Sequence, residues 1–115
     1  MNARPLELWF RLKGPEGAIG PGKVRLLQAV RDEGSLSAAA RKAGVSYRRA
    51  WQLLDEASRA VGHRLVETSQ GGKGGGGARL TSTGEAVVQE FQHLETVLTA
   101  AAGPALRRLA NLGGD

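Results

Sequence analysis

The sequence predicts a mostly α-helical fold with one small β-hairpin, on three observations. Two helical segments are joined through a single glycine, Gly44. The second of them carries an apolar stripe on one side and arginines on the other. Two short β-prone runs, Leu65–Thr68 and Ala78–Thr81, then flank a stretch in which six of the seven residues Gly71 to Gly77 are glycine. At 115 residues the chain is long enough for one core and too short for two ordinary domains.

Taken in order, Leu6 to Lys13 alternates strictly, with Leu6, Leu8, Phe10 and Leu12 on one face. That period of two predicts a half-buried strand. Gly14-Pro15-Glu16-Gly17 breaks it, and Gly20-Pro21-Gly22 extends the loop. Val24, Leu27 and Val30 then recur at helical spacing up to Gly34, a glycine placed to terminate the first helix. Ser35 and Ser37 offer hydroxyls to cap the next helix, whose Ala38–Ala43 run is strongly helix-forming. Gly44 supplies a left-handed position, Val45 an apolar plug, and Ser46 the next cap.

The helix from Ser46 to Val61 places Ala50, Leu53, Leu54, Ala57 and Val61 on one stripe. Ala40, Gly44 and Ala50 stand at helix-turn-helix spacing, where small residues let two short helices cross closely. Opposite the stripe, Arg48, Arg49 and Gln52 cluster on the first two turns beside Ser46 and Tyr47. Arginine can chelate guanine O6 and N7, and glutamine can pair with adenine N6 and N7. The helix start and its hydroxyls favour a phosphate. Trp51, four residues after Tyr47, can meet its ring; the expectation is core packing for Trp51, with base stacking as the alternative.

The glycine stretch is expected to form the tip of a hairpin, a wing that presents Lys73 to a phosphate or the minor groove. A nucleotide-phosphate loop would need GxxxxGK followed by Ser or Thr and then a helix, and neither occurs. Thr81 or Ser82 caps the last long helix, with Glu85 in its first turn. Val87, Phe91, Leu94, Leu98 and Ala101 step by 4, 3, 4 and 3, a seam suited to pairing with a second copy of the chain. Gly103-Pro104 is expected to end this helix, leaving a short, partly helical tail. The expected division is 1–81 for a winged helix-turn-helix domain with its hairpin at about 65–81, 82–102 for a dimerisation helix, and 103–115 for the tail.

Charge points to the partner. The total is +5, but eight of the basic residues lie between Ser35 and Gly84 against three acids, Asp55, Glu56 and Glu67. From Glu85 onward four acids face two arginines. The middle of the chain is therefore suited to a polyanion and the end is not. The candidate DNA contacts are Ser35, Ser37, Ser46, Tyr47, Arg48, Arg49, Gln52, Lys73 and Arg79. The absence of cysteine excludes disulfides and thiolate chemistry. His63 and His93 stand alone, without a catalytic set or metal-ligand spacing, so neither an enzyme, a metal nor a cofactor is expected. No apolar run approaches the roughly 20 residues of a membrane span, and the N-terminus lacks a signal-peptide core. The expected address is the cytoplasm.

The motifs Gly34-Ser35-Leu36-Ser37-Ala38-Ala39-Ala40, Ser46-Tyr47-Arg48-Arg49-Ala50-Trp51, Leu65-Val66-Glu67 and the glycine run into Ala78, then Leu80-Thr81, resemble the DNA-binding domain of the ModE family of molybdenum-responsive regulators. That domain is a LysR-like winged helix-turn-helix of bacteria. The resemblance spans nearly the whole chain and implies homodimers on palindromic double-stranded operators. The helix capped by Ser46 would lie in the major groove, with the Lys73 wing alongside. Full-length members carry molybdate-binding repeats after the last helix, and this sequence stops at Asp115. A stand-alone regulator, a DNA-binding subunit served by a separate effector-sensing protein, and a regulator with no link to the metal all fit. A winged-helix module that binds protein rather than DNA is the alternative from another class.

Overall fold

The computed structural model describes residues 6–69 and 76–112. Its elements are β1 (Leu12–Gly14), β2 (Gly17–Ile19), α1 (Pro21–Glu33), α2 (Leu36–Ala43), α3 (Tyr47–Val61), β3 (Val66–Ser69), β4 (Gly77–Leu80) and α4 (Ser82–Ala110). The strands form two separate antiparallel hairpins, β1–β2 and β3–β4. The architecture is mostly helical with a small β wing, as the patterning predicts.

The helix ends follow from single residues. Ser35 caps α2 by accepting from the Ala38 amide at 3.1 Å, and Ser46 caps α3 by accepting from the Arg49 amide at 3.0 Å. Each removes one of the unpaired donors that a helix start leaves behind. Glycines close α1, α2 and α3 in the left-handed region, and Gly44 (φ 75°) is the one that lets the chain reverse between α2 and α3. In that turn the Val45 amide donates to the Ala40 carbonyl at 3.0 Å.

One core serves all four helices: Leu26, Leu27 and Val30 of α1, Leu36, Ala39 and Ala40 of α2, Ala50, Leu54 and Ala57 of α3, Leu65, Ala78, and Val88 and Phe91 of α4. The wing is tied to this core at both ends. Ala78 donates its amide to the Gly34 carbonyl at 2.9 Å. Thr81 donates its amide to Leu65 at 2.9 Å and its hydroxyl to the Arg64 carbonyl at 2.7 Å. The same hydroxyl accepts from the Gly84 amide at 3.0 Å and so caps α4. A Cβ at Gly84 would collide with the Leu65 carbonyl, so α4 packs on the base of the wing only because that position is bare.

Three expectations are corrected. The strand expected over Leu6–Lys13 is confined to its last two residues, which belong to a hairpin with Gly17–Ile19 across a two-residue turn. Leu6, Leu8 and Leu12 are exposed, and Phe10 alone of that face packs inward, stacking on Phe91 at 4.9 Å. Alternation marked a face, but among the described residues no adjacent sheet buries it. Gly103-Pro104 does not end the last helix, which runs 29 residues from Ser82 to Ala110 with Pro104 inside it. A proline removes one helical hydrogen bond, and Ala105-Leu106-Arg107-Arg108-Leu109-Ala110 is helix-forming enough to continue beyond it. The apolar seam also divides. Phe91 is buried in its own core and Val87 packs against it, whereas Leu98 and Ala101 face solvent.

Thr81→Ala removes the α4 cap and the tie to Arg64 together. It is expected to lower unfolding stability by about 1–2 kcal/mol, read as a reduced midpoint in urea with an unchanged slope.

Candidate nucleic-acid interface

The packing of α3 decides where its polar residues point. Ala50 and Ala57 are fully buried and Leu54 nearly so. At about 100° per residue, Arg48 and Gln52 then lie on the side away from the core, and both are exposed. Arg48 makes no ion pair among the described residues. Its guanidinium is available to a partner.

Arg49 sits on one flank of this outward line. Its guanidinium donates to Gln52 Oε1 at 3.3 Å and lies 3.9 Å from Glu56 Oε2. Glu56 is itself held by Lys23 at 3.1 Å. Arg49 therefore lines an open groove with Trp9, Arg11, Lys23 and Arg25. The carboxylate offsets part of its charge, a loose pairing that a phosphate could displace.

On the other flank, Tyr47 and Trp51 border a cleft of about 410 Å³ that also takes in Ser35 and Ser37 of α2 and Thr68 and Gly76 of the wing. The expectation of core packing for Trp51 is corrected: the indole is 42% exposed and Tyr47 is 52% exposed. The two rings meet edge to face at 6.5 Å, inclined by 75°. The apolar stripe on this helix skips position 51, and that omission was the legible signal. Glu56 was the residue the sequence reading left without a role.

Ser35 and Ser46 accept through their oxygens as caps, which leaves each hydroxyl proton free to donate. Arg79 stands on β4 opposite Glu67 on β3, in register with it, and pairs with it at 3.1 Å while remaining 81% exposed. Lys73 lies outside the described residues. The structure thus brings Ser35, Ser37 and Tyr47 to one cleft, leaves Ser46, Arg48 and Gln52 exposed at the start of α3, sets Arg49 in the groove beside α1 and places Arg79 on the wing strand β4. No three His, Cys, Asp or Glu side chains among the described residues converge to hold a metal.

The helix pair and wing match a known arrangement. The bacterial regulatory helix-turn-helix protein, lysR family, matches residues 22–85, more than half of the chain. The chain belongs to the lysR family. Its stretch from α1 to the start of α4 is a LysR-type helix-turn-helix DNA-binding domain, in a family of regulators rather than enzymes. The chain is homologous to the molybdenum-pterin-binding protein MopA of Rhodobacter capsulatus, at 36% identity over 90% of this chain and 39% of that protein. It is also homologous to the DNA-binding transcriptional dual regulator ModE of Escherichia coli K12, at 40% identity over 67% of this chain and 29% of that protein. The chain therefore spans well under half the length of these relatives. Among solved structures, a CbnR_DBD–DNA complex shares the fold at a TM-score of 0.56 and 23% identity, covering 76% of this chain and 94% of that one. Full-length OxyR C199D from Pseudomonas aeruginosa aligns at a TM-score of 0.52 and 26% identity, over 82% of this chain and 28% of that one. No helix among the described residues of this LysR-family chain is long and apolar enough to cross a membrane.

Glu56→Gln leaves Arg49 without its carboxylate. It is expected to tighten binding to duplex DNA by about two- to fivefold at low salt, measured by fluorescence anisotropy, with the gain shrinking as salt rises.

Proposed function

We propose that the chain is a sequence-specific transcription regulator that acts in the bacterial cytoplasm as a homodimer on a palindromic operator. The observation that carries this reading is the placement of Arg48 and Gln52. Both leave the first two turns of α3 on its outward side, and Arg48 has no ion-pair partner among the described residues. These are the turns of a recognition helix that reach base edges, and these two side-chain types read guanine and adenine. Ser35, Ser37 and Ser46 donate hydroxyl protons to phosphates, and Arg79 follows the backbone from the wing; Lys73, a further phosphate contact in this reading, lies outside the described residues.

Dimerisation follows from α4. Leu94, Leu98 and Ala101 continue the line of Phe91 past the point where the core ends. A second copy of this helix would cover that line. Each protomer then offers one α3, with half-sites about 34 Å apart or a multiple of it. The names borne by ModE and MopA agree with a regulator linked to molybdenum.

Arg48→Ala is expected to weaken operator binding by about 1–3 kcal/mol and relax preference at particular base pairs. Equal losses on the operator and on random duplex would contradict base reading. In sedimentation the full chain is expected to run as a dimer and Leu98→Asp as a folded monomer; a monomeric wild type at high concentration would remove the homodimer.

A further inference from the structure

We infer that Tyr47 and Trp51 form an apolar reading edge for the 5-methyl group of thymine. The inference deepens the proposed function and rests on it: α3 must lie in the major groove for the contact to form.

Two large aromatic side chains, 52% and 42% exposed, are unusual on a helix whose other outward residues are charged or polar. They stand one turn apart, and their edge-to-face contact at 6.5 Å joins them into one ridge. The ridge occupies the flank of α3 that borders the cleft toward Thr68 and Gly76 of the wing. It is adjacent to the outward line of Arg48 and Gln52 and lies outside the buried core. Trp51 Nε1–H makes no hydrogen bond to another described residue, so the indole is not anchored to the protein by its polar edge.

The chemistry of the groove selects the ligand. Base edges there present hydrogen-bonding groups, with one apolar exception, the thymine methyl. Arg48 and Gln52 supply hydrogen bonds for purines through their polar heads, and only flexible methylene stems as carbon surface. A paired phenol and indole supply that surface, each with two rotatable side-chain torsions to fix. The rings can therefore shield a methyl group from water on the strand that lies toward the wing. The indole N–H can in addition donate to the thymine O4 beside that methyl.

The test uses the full chain and a duplex that it selects from a random pool. Each thymine of that duplex is replaced in turn by uracil, which deletes the methyl and nothing else. Replacement at one or two positions per half-site is expected to weaken wild-type binding about fourfold each. Trp51→Ala and Tyr47→Ala should bind the thymine and uracil duplexes alike at those positions, whereas Tyr47→Phe should keep the distinction. Wild-type binding that is indifferent to every uracil overturns the inference while leaving DNA reading intact. Discrimination that survives in both alanine variants also overturns it. A chain that binds no duplex at low salt overturns the inference together with the reading beneath it. The uracil series on the wild type needs no substituted protein to fold.

Discussion

Four buried methyl groups set the geometry on which the rest depends. Ala39 and Ala40 of α2 and Ala50 and Ala57 of α3 are almost completely removed from solvent. They seat both helices in the common core, and Ala50 and Ala57 fix the rotation of α3 about its own axis. A larger side chain at any of them would displace its neighbours in the core, since interiors packed to crystal-like density have little slack. With α3 locked by Ala50, Leu54 and Ala57, its remaining residues have assigned directions. Arg48 and Gln52 face outward, Arg49 and Glu56 face the α1 groove, and Tyr47 and Trp51 face the wing.

The second consequence concerns charge. The three arginines assigned to DNA are not equivalent. Arg49 and Arg79 each lean on a carboxylate, Glu56 and Glu67, whereas Arg48 has none among the described residues. Exposed pairs of this kind contribute little stability and are screened by salt. They hold the side chains in place without committing them, and a phosphate can take over from the carboxylate. Arg48 has no such competitor, which suits it to a contact that discriminates between bases. The wing shares in this arrangement because Thr81 and Ala78 tie its two ends to the helical core. Its position relative to α3 is therefore set by hydrogen bonds and packing.

Much of this was legible in the sequence where local chemistry and packing agree. Ser35, Gly44 and Ser46 announce the α2–α3 turn through caps and a left-handed glycine, and the structure uses each of them so. The stripe on α3 marks its inner face correctly. Failures occurred where a pattern needs a distant partner to acquire meaning. Leu6, Leu8 and Leu12 alternate as a strand would, but among the described residues β1 pairs only with the short β2, and these three leucines stay exposed. Phe91 reads as part of a seam, yet it is taken by Phe10 from the other end of the chain. Pro104 reads as a stop, and the helix-forming residues after it outweigh one lost hydrogen bond. Trp51 was expected to pack in the core, although its place off the stripe indicated the surface.

The central claim is that the exposed face of α3 meets the duplex. Amide chemical shifts of the isotope-labelled full chain, followed during titration with duplex DNA at low salt, test it most directly. The account predicts that the largest changes fall on Ser35–Ser37, Ser46–Gln52 and the wing strands, with α4 beyond Leu94 unmoved. Changes centred on distal α4 or on the exposed side of α1, with α3 unaffected, would contradict it.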